Sequence, residues 1–327
     1  MIKTYFQNGI YKEIPYFLED DELFYLQELP NSSCEKYIYP GDDIVRNLDI
    51  ALVDLYDKLR DLYFKDTDEY YRELPIMPIF VQEAGQDSDS GLTAEDFKEW
   101  IQKPEFTRLP NFYRHLCLVD SQFWVGTIQN LLSGMEDSFT RYFTLLTQVG
   151  TTEEVEPTSP NATMMVMAQS SRELSSALES YFIKAYSILD MLCKICSEIE
   201  YPTKDFDTYK KLKHSETLWG ARKYLKINGR KGTIFEKCDL VSIIEAVRNE
   251  VVHNGAWELN PKVFIRYEDG KVAERFMLFP DIREGHLATV KNRRHFFADG
   301  TKVNSILPQI HLAFQTRLLN TVSLINK

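Results

Sequence analysis

A chain of 327 residues with 44% apolar and 27% charged residues has the composition of a globular protein long enough for more than one core. No apolar run reaches the length of a membrane span, no signal-peptide core follows Met1, and the five scattered cysteines do not make a disulfide framework, so a cytoplasmic protein without membrane attachment is expected. The net charge of −11 hides a division: residues 1–160 carry 13 basic against 30 acidic side chains, whereas residues 161–327 carry 25 against 19, which leaves a basic half suited to phosphates.

Residues 1–40 are rich in aromatics and acids and are broken by Pro15, Pro30 and Pro40, which predicts short helices or extended pieces. Over 42–65, Ile44, Leu48, Leu52, Leu55, Leu59 and Tyr63 recur at spacings of three and four behind two aspartates, the pattern of an amphipathic helix. A glycine-containing loop over 84–93 precedes a short helix opened by Thr93 and acids in its first turn. An apolar-periodic stretch then runs from Pro110 to about Val149, with Gly134 expected to divide it. Residues 150–161, rich in Thr, Glu and Pro, favour neither helix nor strand. They set the expected boundary between an acidic, mostly helical N-terminal region (1–160) and a second domain (161–327), with one continuous bundle as the alternative.

The strongest helix is expected over 170–199, where Leu178, Phe182, Ala185, Leu189, Leu192, Cys196 and Ile199 form a packing seam. Cys193 and Cys196 on it read as small core residues, because no second Cys pair or nearby His completes a metal set; Asp190 lies off the seam, on a face expected to be solvated or to meet another subunit. Residues 204–232 interleave Lys223, Arg230, Lys231 and other basic side chains with Tyr209, Trp219 and Tyr224, a composition that offers phosphate contacts and stacking platforms. Next comes a helix carrying Ile243, Val247 and Val251 on one face, closed by Asn254-Gly255. Beyond it the period changes to two, and Asp269-Gly270 between β-rich runs predicts a hairpin at about 263–279, inserted in an otherwise helical bundle. A basic cluster containing Arg293 and Arg294 follows, then a final helix over 303–325.

Within the helix before the hairpin, Arg248-Asn249-Glu250-Val251-Val252-His253 resembles the Arg-x4–6-His motif of the HEPN superfamily, and the resemblance covers the C-terminal half of the chain. It implies a mainly α fold, a HEPN-like helical bundle, and usually a homodimer whose active members are metal-independent endoribonucleases, with no cofactor. It also implies RNA as partner, a toxin or phage-defence setting, and a regulatory protein partner. By the resemblance Arg248 and His253 form the catalytic pair, with Asn249 the polar residue after the Arg; Lys223, Arg230, Lys231, Arg293 and Arg294 are the candidate substrate-binding residues. Two of the six histidines have an Arg five to seven residues upstream, but the other pair, Arg108 and His115, spans Pro110, which a continuous helix does not tolerate.

The chemistry suits those residue types. Attack of a 2′-hydroxyl on the adjacent phosphorus requires proton transfer near neutral pH, which His supplies, and the charge that gathers on the phosphoryl oxygens suits a permanently protonated guanidinium. Asn249 and His253, at i, i+4, share a face, so Asn249 is expected to orient His253. Five residues at about 100° each put Arg248 about 140° from His253 on a straight helix, so either the helix end distorts or one chain's Arg works beside its partner's His, in a two-fold dimer with a composite cleft. The alternative is a non-catalytic HEPN-type RNA- or protein-binding module.

Overall fold

A computed structural model describes residues 2–5, 11–14, 25–27, 36–38, 42–150, 157–202, 230–236 and 238–327. In chain order the strands are β1 (Ile2–Tyr5), β2 (Tyr11–Ile14), β3 (Tyr25–Gln27) and β4 (Lys36–Ile38), followed by helices α1 (Asp42–Tyr63), α2 (Thr67–Glu73), α3 (Phe80–Glu83), α4 (Ala94–Trp100), α5 (Pro104–Thr107) and α6 (Phe112–Gln148). Then come β5 (Thr163–Val166), α7 (Gln169–Glu200), α8 (Asp239–Asn254), β6 (Val263–Glu268), β7 (Lys271–Phe276), β8 (Ile282–Arg283), β9 (His286–Leu287) and α9 (Val303–Ile325). The fold is thus mainly helical with small antiparallel sheets. No described helix is long and apolar enough to cross a membrane.

Before α1 the described pieces are extended, one of the two forms expected over residues 1–40: two antiparallel strand pairs, β1 with β2 and β3 with β4, where closely spaced prolines leave little room for helices. Two expectations change. Gly134 does not divide α6, which runs unbroken for 37 residues. The hairpin forms, with Asp269 and Gly270 both at positive φ as a tight two-residue turn requires, but β5 joins its outer edge to make the sheet β5-β6-β7. Four residues of strand standing just after the linker composition gave too short an alternation to read.

The chain forms two compact units, one of Met1–Leu48, Leu131–Tyr186 and Gly232–Asn320, the other of Asp49–Asn130, Ser187–Lys231 and Thr321–Lys327. The division does not fall at residue 160, since each unit draws on chain from both sides of it.

In the first unit, Tyr142, Phe143, Leu146, Leu178, Tyr181 and Phe182 from the helices meet Val263, Ile265, Met277 and Phe279 from the hairpin region in a closed core. Arg275 enters it through its aliphatic stem and is satisfied by donating from Nε to the Val149 carbonyl at 2.6 Å. His311 on α9 is fully buried: Nδ1 stands 3.2 Å from the Tyr181 hydroxyl, Nε2 stands 3.1 Å from Glu136, and the ring stacks on Phe139. Such a group is tolerated in a core only because both nitrogens have partners.

In the second unit, Leu52, Leu55 and Leu59 of α1 are buried as their spacing predicts. A separate aromatic cluster gathers Phe80, Phe112, Met77, Val81 and Leu116, with Trp100 tilted and Phe106 edge-on against Phe80. Cys193 and Cys196 are buried core residues without a disulfide, and burial pushes the Cys196 thiol well up, so Cys196 is not a ready thiolate. Asp190 is buried rather than solvated: α7 is enclosed on more faces than its seam alone indicates.

Candidate functional site

The motif lies at the end of α8, and the end is built to stop there. Gly255 caps the helix at φ 90°, in the left-handed region, and its N–H donates to the Val251 carbonyl at 3.1 Å. Two residues on, Trp257 is buried and its indole N–H donates to the Ser175 hydroxyl at 2.7 Å, which ties the chain leaving the helix to α7. His253 therefore sits in a fixed last turn with its side chain exposed, and among the described residues it hydrogen-bonds to no side chain.

Arg248 is half-buried. Its Nη1 donates to the Asn249 amide oxygen at 2.9 Å, and its Cζ stands 4.6 Å from the centroid of the Tyr186 ring. Asn249 thus orients Arg248 and not His253, as was expected of it. The helix continues from Asp239–Asn254, so Arg248 and His253 stay about 140° apart around its axis.

The buried face of α8 is Val241, Ile244, Val247 and Glu250, not the row through Ile243 and Val251; Val252 is half exposed. A carboxylate in the fourth place of an apolar row needs partners, and it has three. His295 Nε2 stands 3.0 Å from Glu250 Oε1, Asn254 donates to Oε2 at 2.9 Å, and Arg294 stands 3.6 Å from Oε2.

The segment that delivers Arg294 and His295 has its own framework. The buried Asp281 carboxylate accepts from the backbone N–H groups of Ala298 and Asp299, both at 3.0 Å, closing the base of the loop. Val290 and Arg293 exchange two backbone hydrogen bonds at 2.9 and 3.0 Å, which forms its tip. Arg283 grips Asp299 with both guanidinium nitrogens, and this bond draws the exposed Asp299 carboxyl below its ordinary value. Gly285, at φ 78°, lies directly against Ser242 near the start of α8. The loop therefore runs alongside the motif helix from Ser242 to Glu250.

Of the expected substrate-binding residues, Arg293 is exposed at this loop tip and Arg294 stands on Glu250. Arg230 and Lys231 belong to the second unit, and Lys223, with most of the basic aromatic-rich stretch, lies outside the described residues, as do linker residues 151–156. Sequence reasoning missed Glu250, His295, Asp281 and Trp257. Only Glu250 left a signal, a carboxylate three residues after Val247 in an apolar row. Among the described residues no group of three His, Cys, Asp or Glu side chains is arranged to hold a metal ion.

The competing pair is divided between surface and core. Arg108 caps α5 and is exposed, whereas His115 is buried within α6, stacked with Tyr70, tilted against Phe64 and 3.4 Å from Glu73. The break between them is Asn111, at φ 51° after Pro110.

Comparison of the chain with protein-family models, curated proteins and solved structures finds no match in any of the three.

Proposed function

We propose that the protein is a HEPN-type, metal-independent endoribonuclease acting on single-stranded RNA, with His253 as an acid–base group and Arg248, oriented by Asn249, stabilising phosphoryl charge. The observation that carries this reading is the pairing of an exposed, unengaged His253 in a capped last turn with an oriented Arg248–Asn249 pair on the same helix. Exposure suits a group that must reach a substrate, and orientation suits one that must meet charge as it develops. The 140° between them is bridged when Arg248 of one chain works beside the partner chain's site in a two-fold dimer. The basic balance of residues 161–327 supplies the field that draws in a polyanion.

The test is incubation of the purified protein with labelled single-stranded RNA in EDTA, with DNA as control. Cleavage leaving 2′,3′-cyclic phosphate ends is expected, and it should fall about 100-fold or more in Arg248→Ala and in His253→Ala but not in Arg108→Ala. Mixing the two inactive variants should restore part of the activity through heterodimers with one intact composite pair. A non-catalytic RNA- or protein-binding module is the second reading, favoured by the engagement of Arg248 with Asn249 and Tyr186. It predicts RNA retention without cleavage in the same assay.

A further inference from the structure

We propose that His295, held by Glu250, is a second acid–base residue of the same site, an inference that rests on the ribonuclease reading above. Three observations converge on it. First, Glu250 and His253 are three residues apart on α8, so about 60° around the axis and about 4.5 Å along it separate them, and His295, seated on Glu250, is brought to the same end of the helix as His253. Second, the bond uses His295 Nε2, so a proton on that nitrogen donates to the carboxylate and leaves Nδ1 of the part-exposed ring as the acceptor toward solvent. A buried carboxylate fixing ring and tautomer in this way is the arrangement that prepares an imidazole to accept a proton at its other nitrogen.

Third, the loop is held at other points besides this contact. Its base is closed by Asp281 and its tip by the Val290–Arg293 pair, and Arg294 already reaches Glu250. Burying a carboxylate in an apolar row is a poor way to gain stability, since a well-packed apolar side chain at such a place does as well or better. A buried carboxylate placed 3.0 Å from an imidazole nitrogen fixes that imidazole in position.

The chemical step then divides between two histidines. Neutral His295 takes the 2′-hydroxyl proton at Nδ1 while the O2′–P bond forms. The P–O5′ bond breaks, and the protonated His253 ring gives its proton to the departing O5′. The products are a 2′,3′-cyclic phosphate and a 5′-hydroxyl end. Each histidine finishes in the protonation state in which the other began, and solvent restores both. Glu250, which touches no reacting atom, is a positioning residue.

Single-turnover cleavage by the full-length protein tests the assignment, with one RNA linkage carrying its natural 5′-oxygen and a second carrying a bridging 5′-sulfur, a leaving group that departs without a proton. His295→Gln should be slower by about 100-fold or more on both linkages, with RNA affinity and thermal midpoint near wild type. His253→Ala should be slow on the oxygen linkage and recover on the sulfur one. In His295→Ala, added imidazole should restore rate, which a merely structural role would not allow, and Glu250→Gln should fall between wild type and His295→Gln. If His295→Gln cleaves the natural linkage at the wild-type rate while His253→Ala does not, His295 has no catalytic part and the ribonuclease reading survives. If imidazole leaves His295→Ala unchanged, the acid–base role is overturned whatever that variant's stability. If the wild-type protein itself cleaves neither linkage, the ribonuclease reading fails and this inference with it.

Discussion

Replacing Glu250 with Ala removes the carboxylate on which Arg294 and His295 of the basic loop stand, and the structure sets the size of the effect. The carboxylate is buried, while Arg294 and His295 are 37% and 28% exposed, so after the change both side chains return to water and no unpaired charge stays buried. What is lost is the charge-assisted pair with His295 at 3.0 Å and the Asn254 bond at 2.9 Å, for which about 1.5–3 kcal/mol is typical of one charged hydrogen bond. The Arg294 contact at 3.6 Å is partly exposed and adds roughly 0–1 kcal/mol. Relief of carboxylate desolvation opposes these losses, and a net cost of about 2 kcal/mol follows. With an unfolding entropy of about 2.1 cal/mol/K per residue, this lowers the thermal midpoint of a chain this long by about 3 °C. Urea unfolding measures the cost, and amide hydrogen exchange shows where it falls: protection should drop over 290–296 while Ala298 and Asp299, held by Asp281, keep theirs. Unchanged stability together with unchanged exchange would refute the view that Glu250 anchors this loop.

The remaining predictions concern stability. Burial, and secondarily the charge of Glu198, raise the Asp120 carboxyl from its ordinary value of 3.8 to about 6. The folded state therefore binds this proton more tightly than the unfolded one, and the stability it contributes is complete below about pH 4 and lost as pH rises through about 6. Asp120→Asn should accordingly stabilise the protein by about 2–3 kcal/mol at neutral pH and have little effect in acid, as read from denaturation midpoints across pH. Burial lowers the His115 imidazole against the opposing Glu73 hydrogen bond, so protonation favours the unfolded chain. Wild type should lose stability relative to His115→Gln as pH falls below about 6.5, and a pH-independent difference between the two would contradict the burial. A Cβ added at Gly285 would stand 2.7 Å from the Ser242 Cβ at φ 78°, so Gly285→Ala should cost about 2 kcal/mol, part of it recovered by Ser242→Gly in the same chain.

Local rules determined much of this protein. The helix beginning at Asp42, the capping box of Thr93 and Asp96, the end of α8 at Gly255 and the turn at Asp269-Gly270 depend on periodicity and on residues that tolerate positive φ, all contained in windows of a few residues. The motif was legible for the same reason, as a spacing on one helix end. What the tertiary structure alone decided is which side chains those elements meet. Apolar periodicity in α8 supported either of two adjacent rows, and the burial of Glu250 is offset by Asn254 on its own helix and by Arg294 and His295, more than 40 residues later. Asn249 went to Arg248 rather than His253 because both contacts are permitted by spacing and only the placed side chains discriminate. β5 paired with a strand a hundred residues away, and the two units took chain from both sides of residue 160, since contacts of that separation depend on loop closure and packing, to which no short window of sequence is sensitive.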